Sequence, residues 1–144
     1  MGKETEKTVL IIGGGISGIT AAVEAAETGC SVYLVEQLPY LGGQVARMNE
    51  YFPKLCPPYC GLEINFKRIR SNPRIEVITS ASVEKITGSA GDFTVSLNSE
   101  PEYVTSACTS CGDCSLVCPV ETADPFNSGM TRHKAIHLPH VLAY

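Results

Sequence analysis

A chain of 144 residues carries 44% apolar and 18% charged residues and a net charge of −4. That balance excludes a disordered chain, and its sign leaves none of the basic field that non-specific nucleic-acid binding needs. No run approaches the 18 or so continuous apolar residues of a membrane-spanning helix, so no direct membrane insertion is expected.

The opening "MGKETEK" is charged and leads straight into the strand-like "TVLII", without the layout of a secretory signal. Glu6 breaks the myristoylation pattern, which requires Ser or Thr at that place. Seven cysteines, an odd number with four in a tight array, point to thiolate ligands in a reducing compartment rather than to disulfides. A cytoplasmic location is the expectation.

Residues 9–12, "VLII", form an apolar run bounded by glycines, as a strand buried on both faces does. Gly13, Gly15 and Gly18 follow in G-x-G-x-x-G spacing. "ISGITAAVEAAETG" then has helical composition and stops at Gly29, and "SVYLV" at 31–35 reads as a second buried strand closed by Glu36. Glycines between strand and helix, with an acid at the end of the next strand, are the context of a dinucleotide-binding turn. Gly13 permits the tight turn, Gly15 leaves room for a pyrophosphate, and Gly18 lets helix and strand pack closely. The helix N-terminus offers N–H groups to phosphate, and Glu36 suits a ribose 2′-hydroxyl while repelling a 2′-phosphate, against NADP. The pair Gly42–Gly43, with Gln44 and Arg47 beyond it, suggests a second side-chain-free approach for a longer dinucleotide, although such a pair is also an ordinary turn. "VEQLPYLGGQ" resembles the V-E-x-x-x-x-x-G-G-[RHQ] segment of FAD proteins with two dinucleotide-binding domains. That likeness implies FAD lined by Gly13, Gly15, Gly18, Glu36, Gly42, Gly43 and Gln44.

Cys56 and Cys60 flank a Pro-Pro pair and suit a metal, a redox-active dithiol or two free thiols on a rigid turn. "GLEINFKRIRS" looks helical, with Leu62, Phe66 and Ile69 on one face. Lys67, Arg68, Arg70 and Arg74 read as a solvated face or a dock for an acidic partner. "RIEVITSASVEKITGSAGDFTVSL" alternates apolar and polar residues around turns at Gly88 and Gly91, giving a third core strand and then a hairpin.

Cys108, Cys111, Cys114 and Cys118 lie at C-x2-C-x2-C-x3-C spacing before Pro119. This is the spacing of a bacterial ferredoxin run and points to a [4Fe–4S] cluster; structural zinc sites use two separated C-x2-C pairs instead. In two-cluster ferredoxins the fourth cysteine serves the other cluster. Cys118 therefore completes a local cluster, or Cys56 or Cys60 reaches across, or a second motif lies beyond this stretch of chain; the third is expected. His133, His137 and His140 have helical spacing, but Pro139 interrupts that helix, and they read as surface or partner-contact residues.

"GGGISGITAAVEAAETG", "VEQLPYLGGQVARMNEYFPKLCPPYCGLEINFKRIRSNPRIEV" and "CTSCGDCSLVCPVE" together resemble the heterodisulfide reductase A-subunit family, in its N-terminal part. "FPKLCPPYCGLEINF" is most similar to the branch found in quinone-interacting membrane-bound oxidoreductase complexes of sulfate-reducing and sulfur-oxidising bacteria. The expected fold is α/β: a partial Rossmann-like FAD-binding domain with a β-meander over 1–104, and a ferredoxin-like [4Fe–4S] insertion over 105–144. The resemblance implies an electron-transfer protein carrying FAD and a [4Fe–4S] cluster, working as one component of a larger complex. Its implied partners are the other subunits of a membrane-associated complex and a soluble redox protein such as adenylylsulfate reductase, with no nucleic acid. Attachment at the inner face of the membrane would come only through another subunit. An electron-bifurcating component of the heterodisulfide reductase type, and a non-enzymatic redox sensor or assembly fragment, are the alternatives.

Overall fold

The computed structural model describes residues 7–105 and 107–143. "MGKETE", on which the signal and myristoylation readings rest, lies outside the described residues. Strand β1, Thr8–Ile12, runs into helix α1, Ile16–Glu27, and then strand β2, Ser31–Val35, which pairs parallel with β1 from Thr8↔Ser31 to Ile12↔Val35. Helix α1 buries Ile19, Ala22, Val23 and Ala26, the i, i+3, i+4, i+7 stripe of an amphipathic helix. Gly29 follows it at φ +97°, a left-handed stop close to where glycine was expected.

A short helix α2, Gly43–Ala46, and helix α3, Tyr59–Ser71, lead to strand β3, Ile75–Ile78, which pairs parallel with β2. Helix α3 starts two residues before the predicted stretch because Pro58 already holds helical angles at its N-cap. The order β1-β2-β3 places β2 at the centre. Ile19, Ala22, Val23, Val32, Leu34, Leu62, Phe66 and Ile69 form one core between the sheet and helices α1 and α3. The predicted apolar face of α3 is the face it buries. Arg68, expected on a solvated face, turns back onto α1, with its guanidinium 2.6 Å from Glu27 and 3.3 Å from Glu24.

The expected hairpin is present as β4, Ala81–Ser89, and β5, Asp92–Ser99, with a bulge between Val83 and Lys85; it stays two-stranded, so among the described residues no third strand extends it into the expected β-meander. Beyond it the chain has little core. It forms helix α4, Asp113–Val117, and a small antiparallel pair of β6, Glu121–Ala123, with β7, Arg132–Lys134, enclosing a 3-10 turn at Pro125–Asn127. The histidines share no helix: His133 lies on β7, and His137 and His140 fall in irregular chain. Among the described residues no helix is long and apolar enough to cross a membrane.

Candidate functional site

The carboxyl ends of β1 and β2 meet at the glycine turn, the edge at which open α/β sheets place ligands. Gly13 takes φ +101°, and its N–H donates to the Val35 carbonyl at 2.7 Å, tying the turn to the end of β2. A side chain at Gly18 would run into the Gly13 carbonyl oxygen, so Gly18 is the close-packing position of the three. Gly15, the N-cap of α1, has extended backbone and nothing within 4 Å of where a Cβ would stand. No side chain caps α1 and no acid stands in its first turn. Its leading N–H groups and positive dipole end therefore face the open space beside Gly15.

Glu36 is 9% exposed and uses both carboxylate oxygens: Oε2 accepts the Gly14 N–H at 2.5 Å and Oε1 the Leu38 N–H at 2.8 Å. Gly14, absent from the sequence-derived set, is thus fixed by the acid. A side chain there would meet Leu41 and the Glu36 carboxylate. The Gly42–Gly43 pair closes the other wall. Gly42 (φ +115°) donates its N–H to the Gly14 carbonyl at 2.8 Å and bridges Gly15, and a Cβ on Gly43 (φ +59°) would stand 3.0 Å from the Gly15 Cα. Gln44 follows in the first turn of α2. Gly13, Gly15, Glu36, Gly42 and Gly43 thus stand around one turn, where two glycine loops face each other with a carboxylate at one side and an uncapped helix end behind; Gly18 packs α1 against that turn, and Gln44 is placed only by its position in α2. Bare backbone, free N–H donors and an acid fit a dinucleotide with a pyrophosphate and a free ribose hydroxyl.

Two connections hold later chain against this cleft. The Arg47 guanidinium lies 2.6 Å from Asp124 Oδ1 and 4.7 Å above the Phe126 ring, and the two charged side chains are only 14% and 16% exposed. The Phe126 N–H and the Arg47 charge hold the Asp124 carboxyl below its ordinary range. Separately, the His140 ring packs against Tyr40 and Phe66 and reaches the Leu41 carbonyl. A cavity of about 220 Å³ lies between α2, the start of α3 and residues 139–141, with Arg47, Tyr59 and His140 among its walls. Neither connection was read from the sequence, because both join residues more than seventy positions apart that share no pattern.

The cysteines behave differently. All seven are free thiols. Cys108, Cys111 and Cys114 are exposed, and among the described residues no three His, Cys, Asp or Glu side chains converge as a metal-holding group. The soft thiolate set suits iron–sulfur chemistry, but this structure does not gather it. Cys118 stands apart: N–H groups of Ile136 first, then Val120 and Ala135, together with the Lys134 charge, draw its thiol below the ordinary value. Tyr51 pairs with Cys56 across a short bridge. Its phenol is pushed up, chiefly by a hydrogen bond to the Cys56 thiol, with Cys60 nearby.

The FAD dependent oxidoreductase family model matches residues 8–113. The A subunit of the ferredoxin:CoB-CoM heterodisulfide reductase of Methanosarcina acetivorans is 44% identical over 133 residues, covering 90% of this chain and 17% of that protein. An iron-sulfur A subunit of the CoB--CoM heterodisulfide reductase of Methanopyrus kandleri is 43% identical over 137 residues, 94% of this chain and 20% of that protein. The chain thus spans about a fifth of the length of these curated relatives. Among solved structures, L-proline dehydrogenase from P. horikoshii superposes with a TM-score of 0.53 at 22% identity, over 67% of this chain and 20% of that one. Thioredoxin reductase from T. acidophilum gives 0.51 at 24% identity, over 65% and 32%. These two likenesses speak to the fold alone.

Proposed function

The chain belongs to the FAD-dependent oxidoreductase family, and from that premise we propose that it is the FAD-binding part of an electron-transfer protein of the heterodisulfide reductase A type. The observation that carries this reading is the cleft itself: two facing glycine loops, a carboxylate at the end of β2 and an α1 terminus without a cap. Gly15 and the first N–H groups of α1 receive the pyrophosphate. Glu36, already holding Gly14 and Leu38, keeps lone pairs for the ribose hydroxyls. Gly42, Gly43 and Gln44 form the second wall. Bound FAD accepts electrons in a pair and releases them singly, which suits a junction between two-electron and one-electron carriers.

In this reading residues 1–104 are the flavin domain and residues 105–144 a ferredoxin-like segment. Cys108, Cys111, Cys114 and Cys118 are its proposed [4Fe–4S] ligands, on donor type and spacing rather than on position. Cluster assembly would then have to draw the thiols together. Partner subunits are supported by the relatives, whose names make each of them one component of a multi-subunit reductase. The "LCPPYC" segment supports a quinone-linked membrane complex delivering electrons to or from a soluble reductase such as adenylylsulfate reductase, at the cytoplasmic side. A second reading, a component of a heterodisulfide reductase itself, is favoured by the names of the relatives.

Anaerobically purified protein analysed for flavin, iron and zinc tests the cofactor reading. Flavin with about four irons per chain supports it, flavin without iron removes the cluster, and zinc or neither cofactor removes the electron-transfer function. Reduction of the flavin by a quinol in the presence of the co-purified partner subunits separates the two branches: it is expected for the quinone-linked complex. Reduction only by a low-potential one-electron donor would favour the heterodisulfide reductase reading.

A further inference from the structure

The loop after β2 has its two glycines at φ +115° and +59° and carries one wall of the cleft, so its shape matters to whatever binds there. Its Gly42 N–H is held by Gly14. The carbonyl of the residue before it, Leu41, is held by a side chain 99 residues away: His140 Nε2 donates to Leu41 O at 2.8 Å. The Leu142 N–H donates to His140 Nδ1 at 3.2 Å. Both ring nitrogens are thus used, and only the neutral ring with its proton on Nε2 makes both bonds.

The ring is fixed from three sides. Tyr40 meets it edge-on at 5.4 Å between centroids, Phe66 of α3 stacks on it at 6.4 Å, and its Nε2 lies 3.3 Å from where a Cβ on Gly42 would stand. The segment that carries His140 is itself anchored. Leu142 packs against the main core, and Ala143 is 8% exposed. The charged and titratable groups around the ring are Arg47 from the end of α2 and the phenols of Tyr40 and Tyr59; α3 contributes the apolar Phe66.

We propose that His140 is a positioning residue for the dinucleotide cleft: it braces the Leu41–Gly43 loop from the far end of the chain and couples FAD affinity to its own protonation. The proposal rests on the flavin reading above. A loop held in its binding shape before the ligand arrives loses less freedom on binding, so removing the brace weakens binding without touching the ligand. Protonation puts a second N–H on the ring: the Nε2–H bond to Leu41 remains, but Nδ1 turns from acceptor to donor and loses the Leu142 N–H, which loosens the segment that holds the ring in place.

Burial disfavours the charged ring, and Arg47 adds to this, outweighing the Leu41 bond; the His140 pKa is held below 6.5. Because the folded state binds this proton less readily than the unfolded chain, the neutral brace is complete well above pH 6.5. Its contribution to folding stability falls as pH drops through 6.5 toward the folded-state value, whereas the FAD affinity of the folded chain weakens only where its own ring takes up the proton, below pH 6.5.

The test measures FAD affinity by flavin fluorescence, between pH 8 and pH 5.5, for the full chain and for His140→Ala and His140→Gln. It adds hydrogen exchange at the Gly42 and Gly43 amides in the flavin-free proteins. The expected result is about tenfold weaker binding for His140→Ala at pH 8, a typical value for one lost hydrogen bond, with faster exchange in the loop. Gln keeps an N–H donor without a titrating ring, so His140→Gln should regain most of the affinity and bind with a flatter pH profile than the parent. Parental affinity, pH profile and exchange in His140→Ala would overturn the proposal. Faster loop exchange in His140→Ala with no FAD bound by the parent chain would instead overturn the flavin reading and keep the brace.

Discussion

Residues 8–78 and residues 108–143 are held by different forces. In the first region Ile19, Ala22, Val23, Val32, Leu34 and Leu62 are each at most 1% exposed, and apolar burial brings the two glycine loops face to face. In the second, Leu116, Val117 and Met130 are 80% or more exposed. That stretch is cross-linked within itself by Glu121 with Lys134 and Arg132, and is tethered to the first region by Arg47–Asp124 and by the docking of residues 140–143. A buried core shapes a site in advance. A short segment with few buried side chains lacks that means and must draw order from contacts with other chain or from a bound group. The two glycine loops stand on the first kind of chain, whereas among the described residues the cysteines of the second do not converge.

Leu34→Ala is expected to destabilise the chain by about 3 kcal/mol, whereas Leu116→Ala should change stability by less than about 0.5 kcal/mol. Denaturant unfolding of both variants checks this, and similar losses would show that the two regions share one core after all. Gly15→Val separates binding from folding. Its side chain enters empty space and its backbone angles are permitted, so stability should move by at most about 1 kcal/mol, while FAD affinity falls roughly a hundredfold.

Cys111→Ser is expected to lower iron uptake on anaerobic reconstitution while leaving FAD binding unchanged; equal iron in parent and variant would contradict the ligand assignment. The smallest effect belongs to the tether. Asp124 is held below the ordinary carboxylate value by the Phe126 N–H and Arg47. Its contribution is therefore complete above about pH 4 and is lost as pH falls through the lower folded value. Amide protection over 121–134, taken relative to the intrinsic exchange rate at each pH, should fall in that acid range, and Asp124→Asn should show the lower protection already at neutral pH.

The strand, glycine turn, helix, strand and acid were legible because each is a local pattern: an apolar run, a G-x-G-x-x-G, a helical stripe and an acid where β2 ends. The α3 face was legible for the same reason. Its true start was not, because Pro57 and Pro58 read equally well as a rigid turn before a helix. What stayed hidden was long-range. Nothing near "LPHVL" says that His140 will hold Leu41, and nothing near "ETAD" or "GGQVAR" says that Arg47 will meet Asp124. Gly14 was passed over because the fingerprint names its neighbours, although its N–H is the one that Glu36 takes. The cysteine run shows the converse: its spacing is a local pattern, yet among the described residues no three potential ligands stand together.

The most direct test is a fluorescence titration of the flavin-free chain with FAD, run beside NADPH and repeated on Gly15→Val. Saturable FAD binding, much weaker NADPH binding because Glu36 repels the 2′-phosphate, and loss of FAD binding in the variant are the results expected of a flavin cleft. No FAD binding by the parent chain, or equal binding by Gly15→Val, would contradict it.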